Sequence, residues 1–130
     1  MSFSQSRKDI GSSGEQVACE FLGRKGYTII SRNFRKPWGE IDIVALKDNT
    51  MRFVEVKTIS SSDSSGFSRE IEYIPEELVH ASKLRKVART ASLYMEEKKD
   101  KREYQIDVVG VILNPATRMA RCRLFEQVLE

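Results

Sequence analysis

Cysteine, histidine and tryptophan are nearly missing from this chain: two cysteines, one histidine and one tryptophan in 130 residues. Cys19 and Cys122 stand far apart and form no CxxC pair, which argues against a disulfide framework and against a zinc site. The lone histidine, His80, excludes chemistry that needs two or more imidazoles. No apolar run approaches the ~20 residues that a membrane span requires. Residues 1–10 are polar and basic with no apolar centre, so they do not read as a secretory signal. The expected location is the cytoplasm, with no membrane partner. Neither charge sign dominates: 22 Lys and Arg face 19 Asp and Glu, a net +3, so the placement of charge matters more than its sum.

What is present suits one globular domain. Hydrophobic residues make up 40% and charged residues 32%, a composition that can bury a core. Residues 1–10 are expected to form a flexible tail and residues 11–130 a single domain. Ser12 and Ser13 offer helix N-caps with Glu15 or Gln16 three residues on. Val17, Ala18, Phe21 and Leu22 then make an apolar stripe at helical spacing, and Gly26 is placed to end the helix. Strands are expected at 27–34 (YTIISRNF), 39–46 (GEIDIVAL) and 51–58 (MRFVEVKT). Residues 60–69 (SSSDSSGFSR) read as a loop. A long helix is expected from Pro75 to about Lys98, with Leu84, Val87, Ala88, Ala91 and Met95 as its stripe. A buried strand at 104–113, a turn at 114–117 (NPAT) and an edge strand at 119–125 complete the chain. The fold class is therefore α/β: an αβββαβ core, a mixed central sheet flanked by helices, and one appended C-terminal edge strand. The strands on either side of the second helix should be parallel, joined by a right-handed crossover.

Side chains two apart on a strand share a face, so Glu40 and Asp42 go together, as do Glu55 and Lys57. A hairpin turn centred on Asp48–Asn49 pairs Leu46 with Met51. Counted back, it pairs Asp42 with Glu55 and Glu40 with Lys57, with Cβ atoms ~5 Å apart. Two opposed carboxylates among Ile41, Ile43, Val44, Phe53, Val54 and Val56 repel unless a cation or proton lies between them. Mg²⁺ often uses one or two carboxylates plus waters and phosphate, and Asp42 with Glu55 suits it. Lys57 could then orient or deprotonate a water, or steady charge on a phosphate. The same residues also fit a same-face ion pair and a local cap. Glu15 borders the buried face of the first helix and reads on spacing as a first-turn glutamate favoured by the helix dipole. Asp107 reads as a paired structural carboxylate and His80 as a helix surface residue.

Lys83, Lys86 and Arg89 recur every three residues and, with Arg85, form a basic band along the second helix that could follow a phosphate backbone. A solvated helix face is the ordinary alternative. Arg32, Arg35, Lys36 and Trp38 lie just before GEID, at the mouth of the candidate site. There Trp38 could stack on a base or anchor the loop.

Together, Gly14–Glu15, Gly26–Tyr27, Arg32–Asn33, Gly39–Glu40–Ile41–Asp42, Phe53–Val54–Glu55–Val56–Lys57–Thr58, Lys83, Ala91 and Asp107–Val108–Val109 resemble the restriction-endonuclease-like superfamily with its PD-(D/E)xK active site. Within it they are similar to the YraN-like family of small bacterial proteins, which look related to archaeal-type Holliday junction resolvases. The likeness runs from about residue 12 to residue 113. It implies that Asp42 and Glu55 are metal ligands, that Lys57 is the catalytic lysine, that Glu15 is a site carboxylate and that Lys83 contacts the phosphate backbone. The function expected is a metal-dependent nuclease using Mg²⁺ or Mn²⁺ on nucleic acid, DNA ahead of RNA, with junction-like structures a candidate substrate. A homodimer would suit symmetric cutting of two strands. The alternatives are a non-catalytic nucleic-acid-binding module on the same fold and a protein-interaction domain using the edge strand near Arg121 and Arg123.

Overall fold

The computed structural model describes residues 7–60 and 79–129. Among them the elements run α1 (Arg7–Arg24), β1 (Thr28–Lys36), β2 (Gly39–Lys47), β3 (Thr50–Ser60), α2 (Ala81–Glu97), β4 (Tyr104–Asn114) and β5 (Met119–Phe125). This is the expected αβββαβ order with an added strand. The five strands form one sheet in the order β1-β2-β3-β4-β5. All neighbours are antiparallel except β3 and β4, which pair in parallel.

Two apolar clusters lie on opposite faces of the sheet. One holds Leu84, Val87, Ala91, Tyr94 and Met95 of α2 with Ile41, Val44, Met51, Phe53, Ile106 and Val108. The other holds Val17, Ala18 and Leu22 of α1 with Tyr27, Ile43, Ala45, Val54, Val109, Val111 and Leu113. β4 is buried along almost its whole length because a helix covers each face, so its sequence is a continuous apolar run. The fully buried Phe53 stacks edge-on against Tyr94 and Tyr104. Burial of a side chain that size is worth about 2–3 kcal/mol.

Local chemistry explains the boundaries. α1 ends where Gly26 takes φ +92°. The Gly26 N–H donates to Gly23 O and the Tyr27 N–H to Leu22 O, which satisfies carbonyls left open by the last turn. The β2–β3 turn places Asp48 and Asn49 at φ 52° and 58°. Two left-handed residues give the turn whose twist suits an antiparallel hairpin, and asparagine and aspartate tolerate it. Leu46 accordingly pairs with Met51, as expected.

Two expectations about helix starts change. α1 begins at Arg7 rather than at the Ser12–Ser13 caps. The second helix begins at Ala81, with His80 at its N-cap position, and ends at Glu97. Pro75, proposed as its start, and the serine-rich stretch 61–69 lie outside the described residues.

On the α1 face, a polar cluster fastens the C-terminal segment. Asp107, fully buried, accepts hydrogen bonds from Tyr27 Oη (2.8 Å), Gln105 Nε2 (2.8 Å) and the Gln127 N–H (2.9 Å). Arg52 Nη1 lies 3.7 Å from Asp107 and 2.9 Å from Glu126. Asp107 is thus a paired structural carboxylate. Burial, then Asp107, pushes the Tyr27 hydroxyl far above its ordinary range. Among the described residues no helix is long and apolar enough to cross a membrane.

Candidate functional site

The sheet opens at Asp42. The last regular β2–β3 pair before it is Ile43 with Val54. Beyond that, Asp42 Oδ2 accepts the Val56 N–H at 2.8 Å, so a side-chain oxygen replaces the carbonyl of a backbone ladder. On the other side, β1 pairs Arg32 with Ile43 and Phe34 with Ile41, leaving Asn33 between them at φ 53°. The strict alternation of faces breaks here: Ile41 packs on the α2 side, whereas Ile43 packs on the α1 side. A carboxylate at this irregularity is reachable from both faces.

Glu55 reaches Asp42 from β3. It is 9% exposed. Burial first, then the charge of Asp42 and a hydrogen bond shared with it, push the Glu55 carboxyl up to about 8. Lys83 pulls the other way from 3.8 Å. Glu15 approaches from α1. Burial, then Asp42, raises its carboxyl above the ordinary range, while Arg32, Arg35 and a hydrogen bond with Asn33 oppose the rise. Glycine makes that approach possible, because a Cβ on Gly14 would collide with the Thr58 hydroxyl. α1 can therefore lie directly on β3, which carries Glu15 toward the site.

Glu55, Lys57, Val79, His80 and Lys83 line one open pocket of about 300 Å³. Lys57 follows Glu55 by two residues on the same face, as expected, and is exposed. His80 was expected on the surface of a helix. It is exposed at the N-cap position of α2, within the pocket lining. The expected helix ran through position 80, and local spacing holds no signal that places His80 at the cap beside the carboxylates.

Glu40 does not pair with Lys57. It pairs across β1 with Arg35, 3.8 Å away, and lies 4.0 Å from Lys83. The Asp42 side chain ends the β2–β3 ladder before that pair is reached. Of the basic residues, Lys83 is turned into the carboxylates, and Arg35 is held by Glu40. Arg85, Lys86 and Arg89 lie exposed along α2. Arg32 donates to Gln16 at 2.9 Å, and Lys36 pairs with Glu97 at 3.7 Å. Trp38 is 47% exposed. Cys19 and Cys122 are free thiols.

The donor set suits a hard dication. Asp42 and Glu55 supply only oxygen, and their mutual repulsion in a buried setting calls for positive charge between them. Among the described residues no three His, Cys, Asp or Glu side chains close around one point as metal donors. A dication here would complete its shell with water and phosphate, which is how Mg²⁺ is commonly held.

Residues 14–111 match the model of the uncharacterised protein family UPF0102. The chain belongs to this family. A family protein of Caldicellulosiruptor saccharolyticus is 39% identical over 110 residues, covering 83% of this chain and 86% of the relative. One from Caldanaerobacter subterraneus is 38% identical over 111 residues, 84% of each chain. One from Clostridium botulinum is 41% identical over 109 residues, 82% of each. The matched span takes in the whole of GEID and FVEVKT, together with Glu15, His80 and Lys83.

Proposed function

We propose that this protein is a metal-dependent nuclease that hydrolyses phosphodiester bonds of nucleic acid, DNA before RNA. The observation that carries the reading is the pairing of half-buried Asp42 with buried Glu55 at the opened strand edge, with Lys57 two residues beyond Glu55. A purely structural carboxylate would be expected to face a buried cationic partner, as Asp107 faces Arg52, whose side chain is 8% exposed. The ammonium beside Glu55, that of Lys83, lies at a similar distance but on a side chain 42% exposed.

Asp42 and Glu55 would hold Mg²⁺ or Mn²⁺, which when bound supplies a Lewis acid for the phosphate and lowers the pKa of a coordinated water. Lys57 orients the attacking water and offsets the charge that builds on the phosphate oxygens. Glu15, drawn close to Asp42, orients the same water from the α1 side. Lys83, 3.8 Å from Glu55 and half-exposed, would be able to turn to a phosphate oxygen if a bound metal took over the charge of the carboxylates. Lys86 and Arg89 extend a track for the strand along α2.

The test is a cleavage assay with Mg²⁺ and Mn²⁺ on a four-way junction, a flap, duplex DNA, single-stranded DNA and RNA. Wild type runs beside Glu55→Ala and Lys57→Ala, with gel shifts on the same samples. Cutting that both variants lose supports the nuclease. Binding without cutting on every substrate replaces it with a non-catalytic nucleic-acid-binding module.

A further inference from the structure

We propose that Trp38 is a stacking platform for an unpaired nucleobase, so that the preferred substrate carries an unpaired base two or three nucleotides from the phosphate cut at the Asp42–Glu55 site. The position of that base rests on the nuclease reading; the stacking itself does not.

A single exposed apolar side chain is ordinary, so exposure alone argues nothing. Placement argues more. Trp38 occupies a two-residue turn with Pro37, closed by the pairing of Lys36 with Gly39. Proline fixes one φ of that turn, which holds the ring on a stiff tip. α2 connects this tip to the pocket. Near its start, Lys83 lies against Glu55 and Glu40. Seven residues on, Thr90 abuts Gly39, so closely that a Cβ there would collide with the threonine hydroxyl. Near its end, Glu97 pairs with Lys36. Seven residues of helix span ~10 Å, about three base rises of ~3.4 Å.

The surface between is suited to a single strand. Lys86 and Arg89 are exposed on the intervening turns of α2. Lys36 Nζ lies 5.9 Å from the Trp38 ring, which puts a cation where a phosphate next to a stacked base would run. At the far end of α2, Glu97 pairs with that same Lys36 at 3.7 Å, beside an exposed Glu96. An aromatic face accepts any base, which gives affinity without sequence preference. Selectivity follows from the substrate. A base inside a duplex is already stacked on both faces, whereas an unpaired base has a face to offer. Among the described residues the other exposed large apolar side chains, Ile30, Tyr104 and Met119, stand at other places in the fold, so none of them joins Trp38 in an apolar patch.

Because Trp38 is the only tryptophan, its emission reports the contact directly. The full chain, in Ca²⁺, would be titrated with a labelled 12-nucleotide single strand, a forked duplex and a blunt duplex. Emission and label anisotropy would be followed together. A second series would carry one abasic site stepped along the single strand. The expected result is quenching by the single strand and the fork but not by the blunt duplex. Trp38→Ala should weaken single-strand and fork binding about tenfold, with Trp38→Phe retaining most of it. Cleavage mapping should place the sensitive abasic position two or three nucleotides from the cut. Anisotropy that rises with unchanged emission, or equal affinity in Trp38→Ala, overturns the stacking role and leaves the nuclease reading standing. No anisotropy change with any strand overturns both. Sensitivity at a different distance from the cut overturns the proposed position.

Discussion

Replacing Glu55 with glutamine should make the metal-free protein more stable at neutral pH. Burial and Asp42 together raise the Glu55 carboxyl from an ordinary 4.5 to about 8. A folded-state value above the unfolded one means that the unfolded chain releases its proton first. The stability contributed by the neutral acid is therefore complete below about pH 4.5, shrinks as pH rises, and is gone once pH passes about 8. At pH 7 the interval is about 2.5 units, and at about 1.4 kcal/mol per unit keeping on Glu55 a proton that the unfolded chain releases costs on the order of 3 kcal/mol. Glutamine keeps the shape, stays neutral at every pH and can still donate to Asp42. In EDTA, Glu55→Gln should thus exceed wild type by up to about 3 kcal/mol at pH 7, or roughly 10 °C in Tm. The gap should close near pH 4.5. Adding Mn²⁺ should raise the Tm of wild type and leave the variant unmoved. Urea and thermal melts across pH 4–8, with and without metal, check all of this. A variant less stable than wild type at pH 7 in EDTA, or a gap that ignores pH, would refute the reasoning.

Two further substitutions probe the same site from its supports. Gly14→Ala places a methyl group against Thr58 and should cost about 1–3 kcal/mol by urea denaturation, with Thr58→Ala restoring part of the loss in the double variant. A Gly14→Ala protein of unchanged stability would show that α1 is free to shift. Lys83→Met removes a half-exposed ammonium that competes with a dication for Glu55 and Glu40. Calorimetric Mn²⁺ affinity should rise about two- to fivefold, while nucleic-acid binding falls. Weaker Mn²⁺ binding would mean that Lys83 supports the metal rather than standing in for it.

Most of the architecture was legible because two periods carry it. Period-two alternation and the Asp48–Asn49 turn set the β2–β3 register as far as Ile43, and helical spacing marked the buried side of α2. The carboxylates came together for the same reason. What did not follow from pattern were events in which a side chain takes over a backbone role. Asp42 ends the ladder by bonding to the Val56 N–H, so Glu40 swings to Arg35 instead of facing Lys57. Ser12 and Ser13 look like caps, yet serine is tolerated inside a helix, and α1 runs through them from Arg7. α2 begins at Ala81, so His80 stands at its N-cap and not within the helix, although it is exposed as expected. The direction in which Lys83 points depends on how α2 docks, and local spacing does not encode docking.

The carboxylate of Asp42 divides its labour. One oxygen is already spent as a surrogate rung of the sheet, bound to the Val56 N–H next to Glu55. The rest of the carboxylate's lone pairs are left for Glu55 and a ligand. The carboxylate's bearing is therefore inherited from main-chain spacing instead of being chosen among free rotamers. Glu55 and Lys57 flank that same Val56 amide, so three chemical groups are indexed to one peptide unit. A stretch of β3 that slid or frayed would not merely loosen the pocket; it would lose all three bearings at once.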